Sequence, residues 1–194
     1  MRVLVIGTSG TIGAEIVKAL QGRHDIVAAN RRSGIEVDIA DADAIRKMYG
    51  QAGRVDAVIV AAGQAAFAPL ERLTDADFQL SIGSKLMGQV NVVRYGLDAL
   101  SEAGSFTLTT GILAQRPIPG SAAVSLVNAG LEGFVRAAAL EMPRDLRINA
   151  VSPGWVSETL AAMGQDASKG TPAAEVAKVY VRSLEGRETG AILN

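Results

Sequence analysis

Residues Arg2 to Gly13, RVLVIGTSGTIG, constrain this chain more than any other stretch: an apolar run leads into three glycines spaced three apart, followed by the amphipathic segment AEIVKALQG. That order predicts a strand, a tight turn and a helix. Gly7 permits the sharp turn at the strand end. Gly10 offers no side chain to hold a pyrophosphate off, and Gly13 lets the helix lie close against the strand. Free N–H groups at the helix start, reinforced by the helix dipole, form an anion site. With Thr8, Ser9, Thr11 and Ile12 between them, these glycines are the expected cradle of a dinucleotide.

A second apolar run, Ile26 to Ala29, ends in Asn30, Arg31, Arg32 and Ser33. In a dinucleotide fold an acidic residue at this point, about 20 residues past the glycine turn, would hold the adenosine ribose hydroxyls and select NAD. Two guanidiniums and a hydroxyl stand there instead, suited to bidentate hydrogen bonds with a 2′-phosphate, so NADP is the expected cofactor. Ile35 to Ile39 alternate like a third strand, and Asp38 at its end suits either the adenine amino group or a local backbone hydrogen bond. Asp41 caps the helix that follows. Asp56 to Val60 read as a fourth, central strand running into Ala61, Ala62 and Gly63, where glycine lets the backbone approach the cofactor.

Thr74 with Asp75 and Asp77 starts a helix that continues to about Leu100. Gly104 to Thr110 form a fifth strand, Ser121 to Glu141 a long helix, and Arg147 to Ser152 a sixth strand ending in Pro153-Gly154. Thr171-Pro172 opens the last helix with a cap and a proline at its first position, and Thr189 to Leu193 suit a final strand. Such alternation predicts an α/β fold, a single Rossmann domain over 1–194 with a doubly wound parallel sheet of about seven strands and ligands at the carboxyl strand ends. A net charge of −1 with scattered basic residues gives no footprint for nucleic acid or an anionic membrane, so small molecules are the expected partners. Absence of cysteine removes disulfides, thiolate catalysis and zinc clusters, and His24 alone cannot build a metal site; it is expected at the surface. No apolar run reaches membrane-span length and the first strand starts at residue 2, which suggests a cytoplasmic protein. Hydrophobic content of 48% is high for a lone domain and suggests a buried oligomer face.

From end to end the chain resembles the short-chain dehydrogenase/reductase family. GTSGTIG resembles its cofactor turn, VAAG its Asn-Asn-Ala-Gly motif, RINAVSPG its sixth strand and Pro-Gly turn, and PIPGSAAVSLVNAGLEGFVRAAALE its catalytic helix. The resemblance implies that Pro153 and Gly154 pass beside the nicotinamide. It also implies a homodimer or homotetramer formed through the helices around 84–100 and 121–141. The family's catalytic tyrosine and its lysine four residues later fall on Val124 and Asn128; no Tyr-x-x-x-Lys occurs anywhere. Thr110, or Gly111 by an alternative spacing, takes the place of the family's serine, and Lys85 falls where the family places an asparagine. The family's threonine beyond the Pro-Gly turn is matched by Glu158.

Valine cannot donate a proton, and a missing general acid costs about 10²- to 10⁴-fold in rate. Three side chains suggest substitutes. The Asn128 amide can hydrogen-bond a ribose hydroxyl, Thr110 can polarise a carbonyl, and Lys85, if desolvated against an apolar wall, can donate a proton or stabilise an alkoxide. Lys85 reads equally as a solvated helix lysine, and Trp155 and Arg116 either as pocket lining or as exposed loop residues. Two functions follow: an NADP-dependent oxidoreductase acting on a small carbonyl or alcohol by an altered catalytic set, or a protein that holds NADP(H) as a sensor without chemistry.

Overall fold

A computed structural model describes residues 1–194. Its centre is one seven-stranded sheet with every neighbouring pair parallel, in the order β3-β2-β1-β4-β5-β6-β7. The strands are β1 (Arg2–Ile6), β2 (Asp25–Asn30), β3 (Ile35–Glu36), β4 (Val55–Val60), β5 (Leu100–Thr109), β6 (Arg147–Val151) and β7 (Ile192–Leu193). The helices are α1 (Thr11–Leu20), α2 (Ala42–Ala52), α3 (Asp75–Ser81), α4 (Gly88–Gly96), α5 (Ala122–Ala138), α6 (Ser157–Ala162) and α7 (Ala173–Glu185). Strand periodicity divides the core in two. Val3 and Val5 of β1 face α1 and α7 with Ile16, Leu20 and Tyr180, whereas Leu4 and Ile6 face the layer of α2, α4 and α5 with Met48, Val92 and Leu131. No helix is long and apolar enough to cross a membrane.

The turn after β1 is set by backbone contact. Gly7 has φ +94°, and a Cβ on Gly13 would sit 2.0 Å from the Gly7 carbonyl oxygen. Only glycine lets α1 start this close to the strand end.

Several boundaries differ from the sequence expectation, each for a local reason. The third strand stops at Glu36, because Asp38 accepts from the Ala40 N–H (2.9 Å) and turns the chain directly into the Asp41 cap of α2. The helix expected over 74–100 is interrupted by a π-helical stretch, Ile82–Met87, and ends in a 3₁₀ turn at Leu97–Ala99. Just before that stretch the Ser81 hydroxyl donates to the Asp77 carbonyl (2.7 Å) and accepts from the Ala66 N–H (2.9 Å), drawing the helix toward the loop after β4. The fifth strand begins at Leu100 rather than Gly104, with a register shift opposite Val55 and Ala57. The last strand is short because side chains take its bonds: Thr189 Oγ1 accepts from Ile148 N (3.1 Å) and Asn149 Oδ1 from Ala191 N (2.9 Å).

Thr171 does not cap α7. Pro172 occupies the cap position, and the Glu158 carboxylate, reaching across from α6, accepts from the Ala173 N–H at 2.9 and 3.1 Å. His24 sits at the surface in part only: its side chain is 9% exposed, with Nε2 3.3 Å from the exposed Glu185 of α7.

Replacing Gly13 with Ala forces a methyl into the Gly7 carbonyl and should destabilise the protein by about 1–3 kcal/mol. A thermal melt of G13A checks this, and an unchanged midpoint would contradict the contact.

Candidate active site

Two cavities lie at the carboxyl edge of the sheet, where an open α/β fold places its ligands. The larger, of about 230 Å³, is lined by Gly7, Ser9, Gly10, Asn30, Arg31, Asp38, Ala61, Ala62 and Gly63, all expected from the sequence, and by Ile6, Val37, Ile39, Gln64 and Ser84, which were not. It straddles the ends of β1, β2 and β4, beside the point at which the strand order reverses. A Cβ at Gly10 would meet only the Gly7 oxygen at 3.4 Å, and α1 starts there with no side-chain cap. Its first N–H groups are therefore open to an anion.

Asn30 organises the basic tip. Its Nδ2 donates to Thr8 Oγ1 and to Ser33 Oγ (both 2.9 Å), while Oδ1 accepts from the backbone N–H of Arg32 (2.8 Å) and Ser33 (2.9 Å). The carboxamide is committed to shaping the loop and joining it to the glycine turn. Arg31 borders the cavity, Arg32 and Ser33 stand outside its wall, and neither arginine pairs with a carboxylate. Asp38 makes its local bond to Ala40 and borders the cavity as well.

The smaller cavity, of about 150 Å³, is lined by Thr110, Gly111, Ile112, Leu113, Asn128, Pro153, Gly154 and Trp155. Arg116 is exposed outside it. Thr110, expected as a donor to a carbonyl, is engaged otherwise: its hydroxyl donates to the Asn128 carbonyl (3.0 Å), so toward the cavity it can only accept. Asn128 is 3% exposed and its Oδ1 has no partner, although Nδ2 lies 3.5 Å from the Gly111 carbonyl; the buried hydroxyl of Ser152, next to Pro153, is also unpartnered. Buried polar atoms are rarely left so unless a ligand or water completes them.

Lys85 lies on the π-helical stretch, a feature that recurs at functional sites. Its stem runs along Gly63: a Cβ there, at φ +127°, would come within 3.0 Å of Lys85 Cα and Cδ. The close approach that Gly63 permits is thus to Lys85 as well as to the cavity. Lys85 is half-buried as a residue; burial of its ammonium lowers it to about 8, and it pairs with no carboxylate, unlike Lys18 and Lys178. Ser84 beside it accepts from the Gln64 N–H (3.0 Å), fixing the cavity wall against the π-turn. Lys85 itself borders neither cavity, and Ser84 and Gln64 were missed because isolated polar residues in a helix and a loop carry no motif.

A family model described as enoyl-(acyl carrier protein) reductase matches residues 7–193. The fold superposes on the crystal structure of the protein lin1944 from Listeria innocua with a TM-score of 0.95 and 42% identity, covering 99% of this chain and 98% of that one. Human L-xylulose reductase is 29% identical over 84% of this chain and 74% of its own length. A hydroxynaphthalene reductase of Aspergillus fumigatus is 29% identical over 79% of this chain, which spans only 56% of that relative.

Proposed function

The chain belongs to the short-chain dehydrogenase/reductase family, and from that premise we propose that it is an NADP-dependent oxidoreductase that interconverts a small carbonyl compound and its alcohol with Lys85 as the proton-transfer group. The observation that carries this reading is a lysine with no carboxylate partner, its pKa lowered by burial, on a π-turn whose Ser84 lines the larger cavity and whose Lys85 stem lies on Gly63 of the same wall. The reductases among its relatives point to the same reaction class.

In this reading the open N–H groups after Gly10 hold the pyrophosphate, and Arg31 and Arg32 hold the 2′-phosphate. Asn128 Oδ1, an acceptor without a donor, takes a hydroxyl of the nicotinamide ribose, while Thr110 keeps the backbone of Asn128 in place. A reduced nicotinamide held there would supply the hydride. Lys85 delivers a proton to the carbonyl oxygen as negative charge develops there, replacing the tyrosine whose position holds Val124. A cytoplasmic location belongs to the same proposal.

The pH dependence follows from the sign of the Lys85 shift. A lysine lowered to about 8 is charged below that pH and neutral above it. Carbonyl reduction should fall as pH rises through about 8, and Lys85→Met should remove that limb and lower turnover by about 10²- to 10⁴-fold. Rates for wild type and K85M across pH, with NADPH and a panel of aldehydes, ketones and quinones, test this; turnover that survives in K85M removes Lys85 from the mechanism.

One observation favours the second reading. The Thr110 hydroxyl is already donated to Asn128, so it does not replace the family's serine as a carbonyl donor. If NADPH binds tightly and is never consumed, and binds in preference to NADP⁺, the protein is a sensor of the reduced cofactor. Either reading requires the guanidiniums: Arg31→Ala should weaken NADPH by about 10- to 150-fold and leave NADH unchanged, since a charge-assisted bond contributes about 1.5–3 kcal/mol. Fluorescence titration measures both.

We further propose a homodimer or homotetramer. The outward face of α5 carries Ala122, Leu126, Ala129, Gly133 and Ala137, and Leu126 and Leu140 are 51% and 90% exposed. Leu80 and Met87 extend this apolar surface on the neighbouring helices. Light scattering should give a dimer or larger, and Leu126→Glu should dissociate it.

A further inference from the structure

Gln89 is fully buried, four residues beyond Lys85 at the start of α4. Its carboxamide is committed entirely to backbone. Nε2 donates to the Lys85 carbonyl (3.1 Å) and to the Thr109 carbonyl (2.8 Å), and Oε1 accepts from the Thr109 N–H (2.8 Å). Gln89 therefore satisfies both backbone groups of the last residue of β5, as a neighbouring strand would, while gripping the carbonyl of the lysine.

Thr109 is itself held on its other side. Its hydroxyl donates to the Val60 carbonyl (2.5 Å), so the Tyr180 hydroxyl 2.7 Å away must donate to it. The clamp thus ties the Lys85 backbone to the ends of β4 and β5 and to α7. A π-turn leaves the regular helical ladder, so its seat on the sheet needs contacts beyond that ladder. The amine at its tip has no ion pair, and its stem packs on Gly63 through apolar contact alone, which fixes no direction for the amine. Where the amine sits accordingly depends on where its backbone is fastened.

We propose that Gln89 is the positioning residue for Lys85: by clamping the Lys85 carbonyl to the Thr109 peptide, it sets where the π-turn carries the lysine amine relative to the cofactor groove. This rests on the reading of Lys85 as the proton-transfer group, and the test separates the two. Wild type, Gln89→Met, which matches the side chain's length without its hydrogen bonds, and Gln89→Glu, which keeps an acceptor for Thr109 N but loses both donors, are acylated with an amine-selective reagent across pH. Labelling is read at each lysine by peptide mass spectrometry, with Lys18, Lys47, Lys169 and Lys178 as internal references, beside a circular-dichroism melt.

In the wild type the midpoint for Lys85 is expected near 8, and in a folded variant it moves toward the ordinary lysine value near 10.5 as the amine gains water, while the four references stay put. Turnover, where measurable, falls by up to about 100-fold with NADPH affinity unchanged, as misplacement of a reacting group predicts. An unmoved Lys85 midpoint in either folded variant overturns the proposal. Failure of both variants to fold also overturns it, since Gln89 is then a residue of the core alone. A shifted midpoint with no turnover in any protein keeps the positioning role and refutes only the oxidoreductase reading.

Discussion

The contact between the Gly7 carbonyl and Gly13 is the constraint on which the cofactor side of this protein depends. Backbone meets backbone there with no room for a Cβ, which brings the start of α1 to the strand end, at the rim of the larger cavity, and its first N–H groups have no side-chain cap. Gly7, with its positive φ, redirects the chain as it leaves β1. Asn30 then extends the construction by one strand, bonding Thr8 of the glycine turn and shaping the turn that carries Arg31 and Arg32. An anion cradle and a cationic tip are thus one hydrogen-bonded unit.

The other half of the site hangs from the end of β5. Two consecutive residues there fasten three helical segments: Thr109 binds Gln89 of α4 and Tyr180 of α7, and Thr110 binds the backbone of Asn128 in α5. These bonds are buried, where a polar group left unpaired is costly, so they are strong determinants of how the helices seat. They also have a chemical consequence. A hydroxyl that donates to a neighbouring carbonyl has no proton left for a substrate, and Thr110 is in that position.

Most of the fold was legible because it rests on local rules. Apolar strands alternating with amphipathic segments imply a parallel sheet covered on both faces, and the glycine spacing, weak alone, is informative because it follows a strand and opens a helix. Asp41 and Thr74 cap their helices because a short polar side chain before a helical run has little else to bond. Boundaries failed where a distant side chain took over a backbone bond. Glu158 reaches α7 from fifteen residues upstream in place of Thr171, and Asn149 and Thr189 replace part of the ladder of β7. The π-turn had no signature either, since Ile82–Met87 carries an ordinary helical pattern and its geometry answers to Ser81, the loop after β4 and Gln89.

By itself the sequence determined the strand–glycine turn–helix unit, the parallel α/β architecture, the absence of a tyrosine–lysine pair and the replacement of an acid by two arginines beyond β2. Those are properties of residue type and spacing, and they survive any tertiary detail. Only the tertiary structure decided the environment of each candidate side chain: a half-buried Lys85 whose stem lies against Gly63, a Thr110 hydroxyl already donated, and an Asn128 oxygen buried without a donor. Desolvation and hydrogen-bond satisfaction depend on atoms far apart in the chain, which no local pattern encodes.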